Sequence, residues 1–249
     1  MPKAPHAVIT GGGSGIGAAV ARKFKSEGYR VTVMARTRGD IDRLADEIRA
    51  YAVRIDVGDP ASVEAAFMAA GPVDVLVNSA AVVRPSDVLE TDVRVWEEHL
   101  KINLTGAFLC SLKVLPGMIN RSRGRIINIS STAGLKGFAH LAAYCASKHG
   151  LIGFTRALAA EVSDKGVTVN AICPGFVDSP MTSAIVNGIA ERTDSSAEEV
   201  LEGFKSRSPQ GHLFSPEEVA DAVFWLAGDE ARGINGQHLT LDGGGVIKR

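Results

Sequence analysis

The stretch AAYCASKHG sets Tyr144 and Lys148 four residues apart in what reads as the start of a helix. Residues at that spacing share one helix face, which puts an ammonium one turn from a phenol. Tyrosine ordinarily titrates near pH ~10 and is a poor base at neutrality. A positive charge close by favours the phenolate, so the pair is a candidate proton donor and the charge that tunes it. Ser131, thirteen positions before Tyr144 at the end of an apolar run, is a candidate hydroxyl for the same site, with Ser130 as its rival. Other chemistries find no pattern here. His140 and His149 lack metal-ligand spacing, HExxH and CxxC are absent, and there is no Gly-x-Ser-x-Gly nucleophile elbow. Cys145, inside the motif, reads as a small helix residue.

The elements that must position this pair alternate along the chain. Apolar runs at 7–10, 30–35, 52–56, 73–78, 125–130, 168–173 and 237–242 read as strands. Helical patterns lie between them, including long ones at 93–118 and 141–165, one opening near Pro60 and one at 216–228. Near-continuously apolar strands separated by helices predict a parallel sheet covered on both faces, and right-handed crossovers make it doubly wound. A turn after the first strand carries Gly11, Gly15 and Gly17, where positive φ and a free helix N-terminus suit a pyrophosphate. The spacing is Gly-x-x-x-Gly-x-Gly rather than the usual Gly-x-Gly-x-x-Gly.

The 249 residues form one domain by this reading, with an irregular insertion at about 178–213. Hydrophobic content of 45% and charged content of 22% are those of a folded chain. A net charge of -1, from 27 basic and 28 acidic residues, argues against a nucleic-acid footprint. Three cysteines without close pairing read as reduced thiols of a cytoplasmic protein. The glycine turn is complete by residue 17, leaving no room for a signal peptide, and no apolar run approaches the roughly 18 residues of a membrane span.

Thr10–Gly17, the stretch NSAA at 78–81, Asn103, Ser131, Tyr144-x-x-x-Lys148 and Pro174-Gly175 occur in one order and spacing. That combination resembles the short-chain dehydrogenase/reductase family over essentially the whole chain. NSAA is a departure, since the family often has Asn-Asn-Ala-Gly there. The resemblance implies a Rossmann-type α/β fold, a doubly wound seven-stranded parallel sheet with helices on both faces. It implies hydride chemistry on a nicotinamide, with Tyr144 as the acid in ketone reduction and the base in alcohol oxidation. Ser131 would bond the substrate oxygen, Lys148 would also hold the nicotinamide ribose, and Asn103 would support a water-linked proton relay to Lys148. The cofactor-binding set it implies is Gly11, Ser14, Gly15, Ile16, Gly17, Val57, Asn78, Ala80, Pro174 and Gly175, with Tyr144 and Lys148. Val177 and Ser179 would meet the carboxamide. Asp56 would bond the adenine amino group or, equally, serve as a helix N-terminal acid. No metal is implied.

Cofactor choice is read from the end of the second strand. NAD sites place Asp or Glu about 20 residues beyond the glycine turn, where this chain has Ala35, Arg36 and Arg38. Guanidinium groups suit a 2′-phosphate, so NADP(H) is favoured, with NAD(H) as the alternative. Asp40 and Asp42 are expected to face away from that phosphate. The predicted activity is NADP(H)-dependent reduction of a 3-oxoacyl thioester or related ketone. An NAD-dependent 3-hydroxybutyrate, 3-hydroxyacyl or other secondary-alcohol dehydrogenase is the alternative, and a catalytically idle dinucleotide sensor or scaffold is the alternative of another class. Met181, Ile185, Ile189, Val200, Leu201 and Phe204 predict two short helices lidding the substrate. By resemblance the chain forms a homotetramer through its two long helices, where Phe108, Leu109, Phe154 and Leu158 exceed what a sheet face needs.

Overall fold

Seven apolar runs pair into one sheet. In the computed structural model, which describes residues 4–191, 193 and 195–247, the strands are β1 (His6–Thr10), β2 (Arg30–Ala35), β3 (Tyr51–Arg54), β4 (Val75–Asn78), β5 (Gly124–Ile129), β6 (Val167–Pro174) and β7 (His238–Leu241). They run in the order β3-β2-β1-β4-β5-β6-β7, every neighbouring pair parallel. Every residue of β1, β4, β5 and β6 is buried, as a sheet covered on both faces requires. Strand order reverses between β1 and β4, which opens the crevice at the carboxyl edge where such sheets bind ligands. β3 ends two residues before the expected Asp56, although the Ile55 N–H still donates to the Ala35 carbonyl of β2 at 3.0 Å.

The helices are α1 (Gly15–Ser26), α2 (Arg38–Ile48), α3 (Pro60–Ala70), α4 (Val93–His99), α5 (Gly106–Asn120), α6 (Ala142–Glu161), α7 (Pro180–Ala190), α8 (Ala197–Arg207) and α9 (Pro216–Ala227). One core forms where Val20 and Phe24 of α1, Ile41 and Leu44 of α2 and Val223 of α9 meet one face of the sheet. On the other face Phe67 of α3, Val114 and Met118 of α5 and Leu158 of α6 make the second core. Asp59 caps α3 by accepting from the Ala61 and Ser62 N–H groups, with Pro60 at the first helical position.

The helix expected at 93–118 is three pieces. Between α4 and α5 the six residues Leu100–Thr105 form a π-helical segment, the kind of bulge that recurs at functional sites. Asn103 lies inside it. The run Val93–Asn120 also corrects the expectation about apolar length. It holds an 18-residue window of mean hydropathy 1.4, enough by composition for a span. Its Cys110, Val114 and Met118 are buried in the second core, so here it is a core helix.

Candidate active site

The glycine turn lies against the loop that follows β4. Gly11 has φ +66° and Gly15 φ +50°, left-handed values that glycine adopts without strain. A Cβ on Gly11 would come within 2.8 Å of the Ala80 backbone nitrogen, and one on Gly17 would overlap the Gly11 carbonyl. Thr10 ties the two loops together, its Oγ1 accepting from the N–H groups of Ser79 (3.2 Å) and Ala80 (3.3 Å). Ala81 has no positive φ, so the alanine that replaces the family's frequent glycine is accommodated without strain.

Beside this turn runs a cavity of about 230 Å³ lined by Ser14, Arg36, Val57, Ala80 and Val82 among others. The close-packed glycines, the start of α1 and the Arg36 side chain at one wall fit a dinucleotide with a 2′-phosphate. Arg38 does not line the cavity. It opens α2 with its guanidinium held toward Asp42, 3.5 Å away. Asp40, expected to face away, lines the cavity and is paired with Arg43 at 2.9 Å, so a cation sits beside the charge that would oppose a phosphate. Asp56 is drawn into a local turn, its Oδ1 accepting from the Gly58 N–H at 2.9 Å. The Asn78 amide turns inward, donating to Asn128 Oδ1 at 2.9 Å and Ser111 Oγ at 3.3 Å. Only its backbone stays at the strand end, since a 5% exposed side chain so bonded has no donor for a ligand.

Across the crevice, Ser131 lies two residues beyond the end of β5, capping a short 3₁₀ turn, and α6 carries Tyr144 and Lys148. Ser131 Oγ accepts from the Ala133 N–H at 3.1 Å, and Ser131 and Tyr144 line one pocket. Its rival Ser130 is buried and donates to the Lys148 carbonyl at 3.2 Å. Lys148, 2% exposed, donates from Nζ to the Ile129 carbonyl at 2.7 Å, with Nζ 5.5 Å from the centroid of the Tyr144 ring. The expectation that Lys148 lowers the Tyr144 pKa is not met in the protein alone. Burial pushes the phenol up to about 12, with Ser131 pulling it partly back. Burial likewise brings the ammonium down to about 8, because removal from water disfavours each charged form.

Asn103 is 1% exposed and fully engaged. Its Oδ1 accepts from the Val82 N–H at 2.8 Å, and its Nδ2 donates to the Val82 carbonyl and to Ser147 Oγ, each at 3.0 Å. It therefore stitches the loop after β4 to α6. His99 completes that joint with hydrogen bonds at both ring nitrogens, and no motif in the sequence singles it out.

A pocket of about 100 Å³ next to Ser131 and Tyr144 is lined by Ile16, Pro174, Gly175, Val177 and Ser179 as well. Ser179 caps α7, accepting from the Thr182 N–H. The two helices expected in the insertion are present as α7 and α8. Met181 and Ile185 of α7 face the pocket, and Phe204 of α8 stacks on Phe176 at 4.2 Å. Phe176 in turn meets Phe138 edge-on at 6.3 Å. Phe204 was among the expected lid residues, whereas Phe138 and Phe176, which line the pocket, were not legible, since nothing in their spacing sets them apart from core. Of the four apolar residues expected in excess, Leu158 is buried in its own core and Leu109 and Phe154 pack against that core. Phe108 remains 40% exposed, with Leu112 one turn on at 45%.

A profile for a family described as enoyl-(acyl carrier protein) reductase matches residues 11–245. A Streptomyces virginiae protein assigned as the ketoacyl reductase of the monensin polyketide synthase is 40% identical over 249 residues, covering 96% of this chain and 95% of that one. The 3-oxoacyl-(acyl carrier protein) reductase of Vibrio cholerae is 37% identical over 246 residues, covering 96% of each. A solved variant of actinorhodin polyketide ketoreductase with NADPH superposes with a TM-score of 0.93 at 38% identity, over 98% of each chain.

Proposed function

Because the chain belongs to the short-chain dehydrogenase/reductase family and is an oxidoreductase of carbonyl and CH–OH groups, we propose that it reduces a 3-oxoacyl thioester or related ketone with NADPH. One observation carries this reading. Ser131 and Tyr144 present two hydroxyls, with Lys148 beneath them, at an apolar pocket that adjoins the glycine turn.

The nicotinamide, when bound, supplies the hydride. Gly11, Gly15 and Gly17 let the backbone approach the pyrophosphate, and the start of α1 turns free N–H groups toward it. Arg36 holds the 2′-phosphate. Ser131 Oγ donates to the substrate oxygen and orients the carbonyl. Tyr144, neutral because burial keeps its pKa high, donates its phenolic proton to that oxygen as negative charge develops. Lys148, largely protonated at neutral pH, stabilises the phenolate left behind and holds the ribose. Asn103, its side chain engaged, supports the proton relay from within the π-helical segment. The chain acts as one domain, in the cytoplasm, as a homotetramer in which Phe108 and Leu112 are covered.

The Met181, Ile185 and Phe176 lining supports an apolar acyl or alicyclic ketone over a sugar. The test is NADPH oxidation against 3-oxoacyl thioesters, alicyclic ketones and the matching 2-enoyl thioesters, with NADH run in parallel. Turnover of the oxo but not the enoyl compounds is expected. Preference for NADH over NADPH, together with NAD⁺-dependent oxidation of 3-hydroxy acids, would favour the dehydrogenase. Inactivity throughout, alongside tight NADPH binding, would favour the sensor.

A further inference from the structure

His99 is completely buried, at the last position of α4, next to the π-helical segment. Its Nδ1 lies 2.7 Å from the Val95 carbonyl, which can only accept. Its Nε2 lies 3.1 Å from the Arg84 backbone N–H, which can only donate. The two partners together fix a neutral imidazole with the proton on Nδ1. The ring meets the Tyr144 ring edge-on, with centroids 6.4 Å apart and planes at 79°.

Both nitrogens are committed to backbone, so His99 has no proton to pass to Tyr144 and no lone pair to receive one. What it can do is hold. His99 and Asn103 stand one helical turn apart, and they grip alternate residues of the extended loop after β4. Asn103 takes both backbone groups of Val82, and His99 takes the N–H of Arg84. Alternate residues of an extended chain face the same side, so a pair four apart on the helix matches a pair two apart on the loop. The loop is divided by these grips. Ala80 to Val82 line the cofactor cavity. Beyond Arg84, the Ser86 N–H donates to the His140 carbonyl at 2.9 Å, next to Leu141 of the substrate pocket. The Arg84 guanidinium points elsewhere, to Glu98 at 2.8 Å.

We propose that His99 is a positioning residue of the reductase site: as the neutral Nδ1–H tautomer it anchors the substrate-side half of the loop after β4 and buttresses the Tyr144 ring. This rests on the ketone-reductase reading, and its test separates the two. In His99→Gln the amide oxygen reaches the place of Nε2 and can accept from Arg84, whereas in His99→Asn the shorter amide serves only Val95. Losing one buried hydrogen bond at the loop corresponds to about tenfold. His99→Asn is therefore expected to lower kcat/KM for the ketone about tenfold, with the NADPH dissociation constant within about twofold of wild type. His99→Gln should restore most of the loss. A merely structural histidine would instead lower the melting temperature in both variants while leaving kcat/KM per folded molecule unchanged, and that result overturns the proposal. The tautomer needs no substrate. Long-range ¹⁵N–¹H spectra of histidine-labelled protein should place the His99 proton on Nδ1, and a proton on Nε2 also overturns it. Wild-type inactivity toward every ketone, with the Nδ1 tautomer present, would count against the reductase reading and leave the anchoring of Arg84 standing.

Discussion

Ligand-free protein should gain stability as the pH rises above neutrality, and Lys148→Met should abolish that gain. In the unfolded chain the Lys148 amine keeps its proton until near its ordinary 10.5, while in the fold burial brings release down to about 8. Between those values the unfolded chain binds more protons, so the free energy of unfolding rises with pH. The full difference corresponds to about 3 kcal/mol, of which ~1.3 kcal/mol falls between pH ~7 and ~9. For a chain of this size that is a rise in Tm of about 3–5 °C. Tyr144, Cys110 and Cys173 act in the opposite sense at higher pH. Burial raises them to about 12, about 12 and about 11, so each loses stability as pH passes its ordinary value of 10.0 for the phenol or 9.0 for the thiols. Measurements at or below pH ~9 limit their share, and subtraction of the variant removes most of the rest. Urea unfolding of both proteins at pH ~7, ~8 and ~9, at equal ionic strength, reads the difference directly. Parallel curves for wild type and Lys148→Met would show that the amine keeps an ordinary pKa in the fold, and the account of a buried, poised ammonium would fail.

Tyr144→Phe should remove most ketone turnover while leaving NADPH affinity nearly unchanged, because only the proton donor is lost; near-wild-type turnover refutes the assignment. Arg36→Ala should weaken NADPH about tenfold to a hundredfold and NADH little, and Ala35→Asp should reverse the preference, both read as kcat/KM for the two cofactors. Gly17→Ala should abolish NADPH binding in a calorimetric titration, since its Cβ would collide with the Gly11 carbonyl. Sedimentation at micromolar concentration should give a tetramer, and a monomer would leave Phe108 and Leu112 without the partner surface assigned to them.

The sheet and the placing of Tyr144 and Lys148 on one helix were legible in the sequence because each rests on local spacing. Strands buried on both faces write themselves as unbroken apolar runs, and β2 was read to the residue at 30–35. Helical period alone puts Tyr144 and Lys148 on one face, and the glycines of the turn announce a close approach whatever lies opposite. What the sequence could not carry was anything set by a partner distant along the chain. Asn78 was expected to meet the cofactor, but parallel pairing makes it the neighbour of Asn128 and turns its amide inward. Asp40 was expected to turn away, and only the meeting of α2 with the glycine turn shows it lining the cavity beside Arg43. His99 carries no motif, because its meaning lies in Arg84 and Tyr144, brought together by three separate segments. The same holds for charge. Spacing said that an ammonium is near a phenol, while burial, a property of the assembled fold, decided that both groups are held toward neutrality, since removal from water disfavours charge on either.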